Sequence, residues 1–118
     1  MDPQERIAAL QQALATLNAA IAQLNSSLAA ATDPGDIQNL TSLLADSQAE
    51  RQNVQFQVTN LQMAAAGVGE IAPAAAATVR ALAAELNNMI LRQATIAGVL
   101  DFGNAVLAKV SALRQAAT

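Results

Sequence analysis

Cysteine and histidine are both missing from this 118-residue chain. The first absence excludes disulfides, thiolate nucleophiles and Cys-based zinc sites, without indicating a compartment. The second removes the usual general base and the commonest metal ligand. Tyrosine and tryptophan are missing too, and Phe56 and Phe102 are the two aromatics. Strands draw on aromatics, so their scarcity argues against a sheet. Charge is sparse: 13% of residues, six Lys and Arg against nine Asp and Glu, for a net charge of −3. The few basic residues are spread thinly, so no basic patch exists and nucleic acid is excluded as a partner. The opening Met1-Asp2-Pro3-Gln4-Glu5-Arg6 has neither a basic segment nor an apolar run, so it is no secretory signal. The expected location is cytoplasmic, or outside by a route that uses no N-terminal secretory signal. The apolar C-terminal third is interrupted by Asn87, Asn88, Arg92, Gln93, Asp101 and Asn104, and no membrane span is expected from it.

What the chain does have is alanine, roughly a quarter of all residues against a far smaller share in an average globular protein. Alanine is the best helix former, so the composition points to an all-α chain, and the length suits one domain over residues 1–118 with a modest core.

Two stretches, Asp2-Pro3-Gln4-Glu5 and Asp33-Pro34-Gly35-Asp36, have the same grammar. Asp at an N-cap accepts a hydrogen bond from a free N–H of the first turn. Proline at the first helical position gives up a donor that had no partner. The acid three residues on suits the positive end of the helix dipole. Each stretch therefore starts a helix. After the first come Ile7, Leu10, Leu14, Leu17, Ile21, Leu24 and Leu28, alternating three and four apart in the manner of a coiled-coil seam. After the second come Ile37, Leu40, Leu44, Ser47, Arg51, Val54, Val58 and Leu61 at the same steps, with two polar residues in the seam. A stop is expected near Gly67-Val68-Gly69, because glycine takes the left-handed cap conformation cheaply. A third helix starts at about Pro73, with a seam from Val79 through Leu86, Met89, Gln93 and Ile96 to Val110; it either continues to about Ala116 or bends near Gly98 or Gly103. The expected helices are thus about 3–31, 34–66 and 73–116. Short connections favour antiparallel neighbours, hence an up-down-up three-helix bundle, with a fourth helix if the third breaks near Gly98–Gly103. The architecture is similar to a spectrin-type repeat, and no motif identifies that or any other family.

One antiparallel register between the second and third helices pairs Leu61 with Val79, Val58 with Leu82, Val54 with Leu86, Leu44 with Ile96 and Leu40 with Leu100. It also puts Ser47 opposite Gln93 and Arg51 opposite Met89, with Asn18 near that level. Ser47, Arg51 and Gln93 are therefore expected as one buried polar layer whose members satisfy each other. A structural role that fixes register is its plain reading; a ligand or conduction site in the layer is the sharper one. The same register leaves a straight third helix overhanging by ten or so residues, roughly 15–20 Å. The overhang carries Val106, Leu107, Val110 and Leu113. Either the chain breaks and folds back, or this stripe packs on another molecule, or the tail frays. Phe56, Ile90, Leu91, Val99 and Phe102 also fall off the seam. Several large apolar groups outside the core of a charge-poor chain suggest an interface.

Catalytic motifs are few. Gly67-Val68-Gly69 lacks the later glycine and lysine of a phosphate loop. Without histidine, the serines have no activating base and Glu-x-x-His metal pairs cannot form. The acids are dispersed and a rod offers no obvious cleft for a glycosidase-type pair. Lys109, the one lysine, is read as a solvated charge rather than a Schiff-base former. No enzyme activity, cofactor or metal is expected. The leading expectation is an interaction module that self-assembles into a homo-oligomer or filament, or docks another helical protein. Its expected interface is Phe56, Leu91, Val99, Phe102, Val106, Leu107, Val110 and Leu113. A lipid-surface or membrane-active helical protein is the alternative, weakened by polar faces that carry Gln, Asn and Thr rather than Lys and Arg. A small adaptor or immunity-type binding protein is a third.

Overall fold

A computed structural model of the chain describes residues 1–64 and 69–118, and all the regular structure in them is helical. The described residues form four helices: α1 (Pro3–Ala30), α2 (Pro34–Met63), α3 (Pro73–Asn88) and α4 (Ile96–Ala116). The all-α class holds, but the expected long third helix is two.

Both Asp-Pro starts form as the chemistry dictates. The Asp2 carboxylate accepts the Glu5 N–H at 2.8 Å, and Asp33 accepts that of Asp36 at 3.1 Å. Each cap of this kind stabilises a helix by about 1 kcal/mol. α2 closes with the Ala64 N–H on the Asn60 carbonyl at 3.0 Å. Of the expected terminator, Gly67 and Val68 lie outside the described residues, and Gly69 is non-helical.

The break in the C-terminal half falls at residues 89–95, before both suspected glycines. Met89 turns to extended backbone, and Thr95 starts α4 by accepting the Gly98 N–H at 3.1 Å. Gly98 and Gly103 lie inside α4 without positive φ, and what each provides is space. A Cβ on Gly98 would run into the Gln93 carbonyl oxygen, so the bare backbone lets the connection lie over the first turn of α4. A Cβ on Gly103 would stand 2.9 Å from Leu43 Cδ2 and 3.6 Å from Leu24, so here α4 seats directly on α1 and α2.

α1 and α4 each touch the other three helices, while α2 and α3 flank that pair and do not pack against each other. The start of α1 lies beside the end of α4, where an Arg6 guanidinium nitrogen donates to the Ala117 carbonyl at 3.1 Å. The end of α1 meets the starts of α2 and α4 in a small cluster of Leu24, Leu40, Leu43 and Val99. α3 lies along the first half of α1, tied by Arg80–Glu5 at 3.0 Å, Gln12–Asn87 at 2.6 Å and the Thr16 hydroxyl on the Leu86 carbonyl at 3.2 Å. The expected register between Leu61–Leu40 and Val79–Leu100 therefore does not form. α3 stops at Asn88, less than half-way from Val79 to Leu100, and its Val79 and Leu86 pack toward α1 and α4. The larger core, from Ile7 and Leu17 through Val54 to Leu113, fills the rest of a rod 51 × 23 × 16 Å. Each fully buried Leu or Val contributes roughly 1.5–3 kcal/mol.

Candidate interaction surface

The fold-back decides the fate of the stripe that was expected to overhang. Val106, Val110 and Leu113 are fully buried in the main core, and Val99 is buried in the smaller one. Leu91, Phe102 and Leu107 are half-buried and pack against those cores. Within the chain, α1 supplies the partner that the stripe lacked in a straight helix, because the antiparallel return lays α4 against it. Of the eight expected interface residues, Phe56 alone is largely free, at 72% exposure.

The expected polar layer is not assembled either. Ser47 is fully buried and its hydroxyl has no hydrogen-bond partner among the described residues. Arg51 is half-exposed, and Gln93 is exposed in the 89–95 connection, since the chain leaves the helix before reaching it. Asn18 is exposed.

Two polar groups that sequence reasoning passed over are buried instead. Glu50 is 7% exposed and receives Arg114 on both oxygens, the Nη2 contact at 3.3 Å, while Gln57 donates to the Arg114 carbonyl at 3.2 Å. Arg6 is 3% exposed and donates to the Ala117 and Gly69 carbonyls, each at 3.1 Å. Residues 43, 50 and 57 are spaced by sevens on the flank of the α2 seam, as 6, 13 and 20 are on that of α1. A helix facing two neighbours buries that flank as well as the seam. The seven-residue spacing of Glu50 and Gln57 from Leu43 was the available signal. Lys109 pairs with Glu85 at 3.2 Å across α3 and α4. Among the described residues, no group of three or more Asp or Glu comes together to hold a metal ion.

The surface that stands out is the outer side of α2. Its inner seam ends Arg51, Val54, Val58, Leu61; its outer side carries Gln52, Phe56, Thr59 and Met63, also at alternating steps of three and four. Phe56 is 72% and Met63 82% exposed. Both line one shallow depression with Gln52, Gln55, Thr59 and Asn60. No charged residue occurs from Gln52 to Gly69. A second apolar spot, centred on Ile90 at 67% exposure, lies on the 89–95 connection beside Arg92 and Asp101.

Membrane geometry has a separate observation. α1 and α4 are long and apolar enough by length and composition to cross a membrane. Both also supply the core, through Leu10, Leu17 and Leu24 on α1 and Val106, Val110 and Leu113 on α4. No protein-family model, curated protein or solved structure matches this chain.

Proposed function

We propose that this chain is a non-catalytic helical interaction module, an up-down-up-down bundle that associates with further copies of itself. The observation that carries it is the outer side of α2, where Phe56 and Met63 stand in solvent on a face without charge. Exposed apolar groups scattered singly mean little, but two large ones at seam spacing on one helix favour helix–helix docking. The test is light scattering behind size exclusion over a range of concentrations. A mass that rises above the 12.1 kDa monomer with concentration is the expected result. A constant monomer mass at every concentration removes this reading.

A lipid-surface protein is the second reading, supported by the apolar composition of α1 and α4. It requires the bundle to open, since both helices supply the core. Residues 7–32 contain no Lys or Arg, so attraction to anionic headgroups is weak on α1. Flotation with liposomes separates it from the first. Docking of a different helical protein uses the same α2 face and shows as a monomer that gains stability with that partner.

A further inference from the structure

α2 and α3 make no contact among the described residues, and that separation divides the bundle. We infer that α3 is a strap: it leaves α1 and α4 as one unit while α1, α2 and α4 stay packed. The inference lies beyond the self-association reading and does not depend on it.

α1, α2 and α4 each pack on both of the others, so taking α3 away leaves a closed three-helix bundle. Taking α2 away would leave a triangle as well, but α2 is held more firmly. Seven of its residues are buried, among them Glu50, which Arg114 holds on both oxygens. α3 buries three, Ala76, Val79 and Leu86, with Leu82 and Ala83 half-buried beside them. Apolar area removed from water sets the cost of separation, so α3 is released at the least cost. Its seat on α1 is also a lean one: Glu5, Gln12 and Thr16, which tie α3 down, share their line with Ala9. Three of its four side-chain ties, Arg80–Glu5, Asn87–Gln12 and Glu85–Lys109, are exposed to water. Exposed pairs of this sort contribute little. The connections allow the movement. Residues 31–33 alone join α1 to α2, whereas 89–95 join α3 to α4. Seven extended residues reach about 23–25 Å, well beyond the roughly 10 Å between packed helix axes, so α3 clears its seat without pulling on α4. Arg6 holds the Gly69 carbonyl, which places the moving stretch after it. The start of α3 has no side-chain cap, yet its alanine-rich sequence favours helix, so it moves as a helix.

Hydrogen exchange of the full native chain, in dilute solution and across low urea, reads the release. Amides of α3 are expected to exchange roughly ten-fold or more faster than those at the centre of α1, with a urea dependence shallower than that of α1 but above zero. Zero dependence on urea would mean fraying, and rates equal to those of α1 would mean one cooperative unit; either result overturns the strap. Val99→Ala gives a second, independent reading. Val99 belongs to the cluster of Leu24, Leu40 and Leu43, to which α3 contributes no residue. That cluster stays packed when α3 is released. The variant is therefore expected to speed exchange at the centre of α1 by roughly ten-fold or more and to leave α3 within about two-fold of its native rate. Acceleration of α1 and α3 by the same factor ends the proposal. Association is read separately, from mass: a monomer with a released α3 removes only the self-association reading, and an associating chain without the release removes only this one.

Discussion

The two ends of the rod are held together by different physics. At the end where α1 starts and α4 stops, polar and directional contacts are added to the apolar core of Ile7, Leu113 and Ala117. Arg6 grips the Ala117 and Gly69 carbonyls, and Arg114 one turn back grips Glu50. Arg6 has no carboxylate partner among the described residues, and its countercharge is the negative end of the α4 dipole. At the other end, Leu24, Leu40, Leu43 and Val99 meet around Gly103 with no polar contact in the cluster. One end fixes alignment by hydrogen-bond geometry, the other by shape. Directional contacts specify where α4 stops; close packing over a glycine specifies how near it comes.

The comparison is broken most severely in the apolar end. Leu24→Ala removes a fully buried side chain from a cluster of four, and about 3–5 kcal/mol of stability is expected to go with it, read by urea denaturation. A loss below about 1 kcal/mol would mean that this end contributes little and that α4 is held from the other. Arg6→Ala comes next, at about 2–4 kcal/mol, because it leaves two carbonyls without donors and a cavity besides. Arg6→Met keeps most of the volume but leaves the same two carbonyls without donors, so it is expected to cost nearly as much. A loss less than half as large would show that the packed stem, rather than the hydrogen bonds, holds this end.

Glu50 and Arg114 sharpen the contrast through a pair of experiments. Either Glu50→Leu or Arg114→Leu alone strands the other charge, Glu50 nearly buried and Arg114 partly exposed, for an expected cost of about 1–3 kcal/mol. The double variant restores an uncharged interface and is expected to recover most of that loss. Additive losses in the double variant would show that the two groups act independently.

These residues also mark what the sequence made legible. The caps at Asp2 and Asp33 announced α1 and α2, because an aspartate, a proline and an acid at fixed offsets leave little else to do. The seam leucines Leu10, Leu17, Leu24 and Leu40 are buried as their spacing required. The break at 89–95 left no such mark. Met89, Ile90 and Leu91 continue the apolar pattern without proline or glycine, and the Thr95 cap has Gly98 where a capping box would have an acid. Glycine drew the expected break to positions 98 and 103, where its small size rather than its flexibility is used. The burial of Glu50 and Arg6 depends on which helices flank α1 and α2, and a seam drawn for three helices cannot show that. Phe56 was legible as an outward residue, whereas Met63 gains its meaning from standing two turns further along the same exposed line.

The smallest effect concerns the middle of the rod, between the two ends. Ser47 sits at a seam position of α2, fully buried, with its hydroxyl unpartnered among the described residues. A buried hydroxyl without a hydrogen bond costs roughly 1–3 kcal/mol by mutational measures. Alanine at this site removes that cost, keeps nearly the same volume and is the better helix former by about half a kcal/mol. Against this stands the small apolar contact of Oγ itself, lost with the atom. The balance favours Ser47→Ala by about 1 kcal/mol, a rise in Tm of roughly 4–8 °C for a domain near this size. A fall in Tm would show that the hydroxyl works, through a bond to a carbonyl of its own helix that forms when the core relaxes, and that α2 is held at its middle by polar geometry as well as at its end.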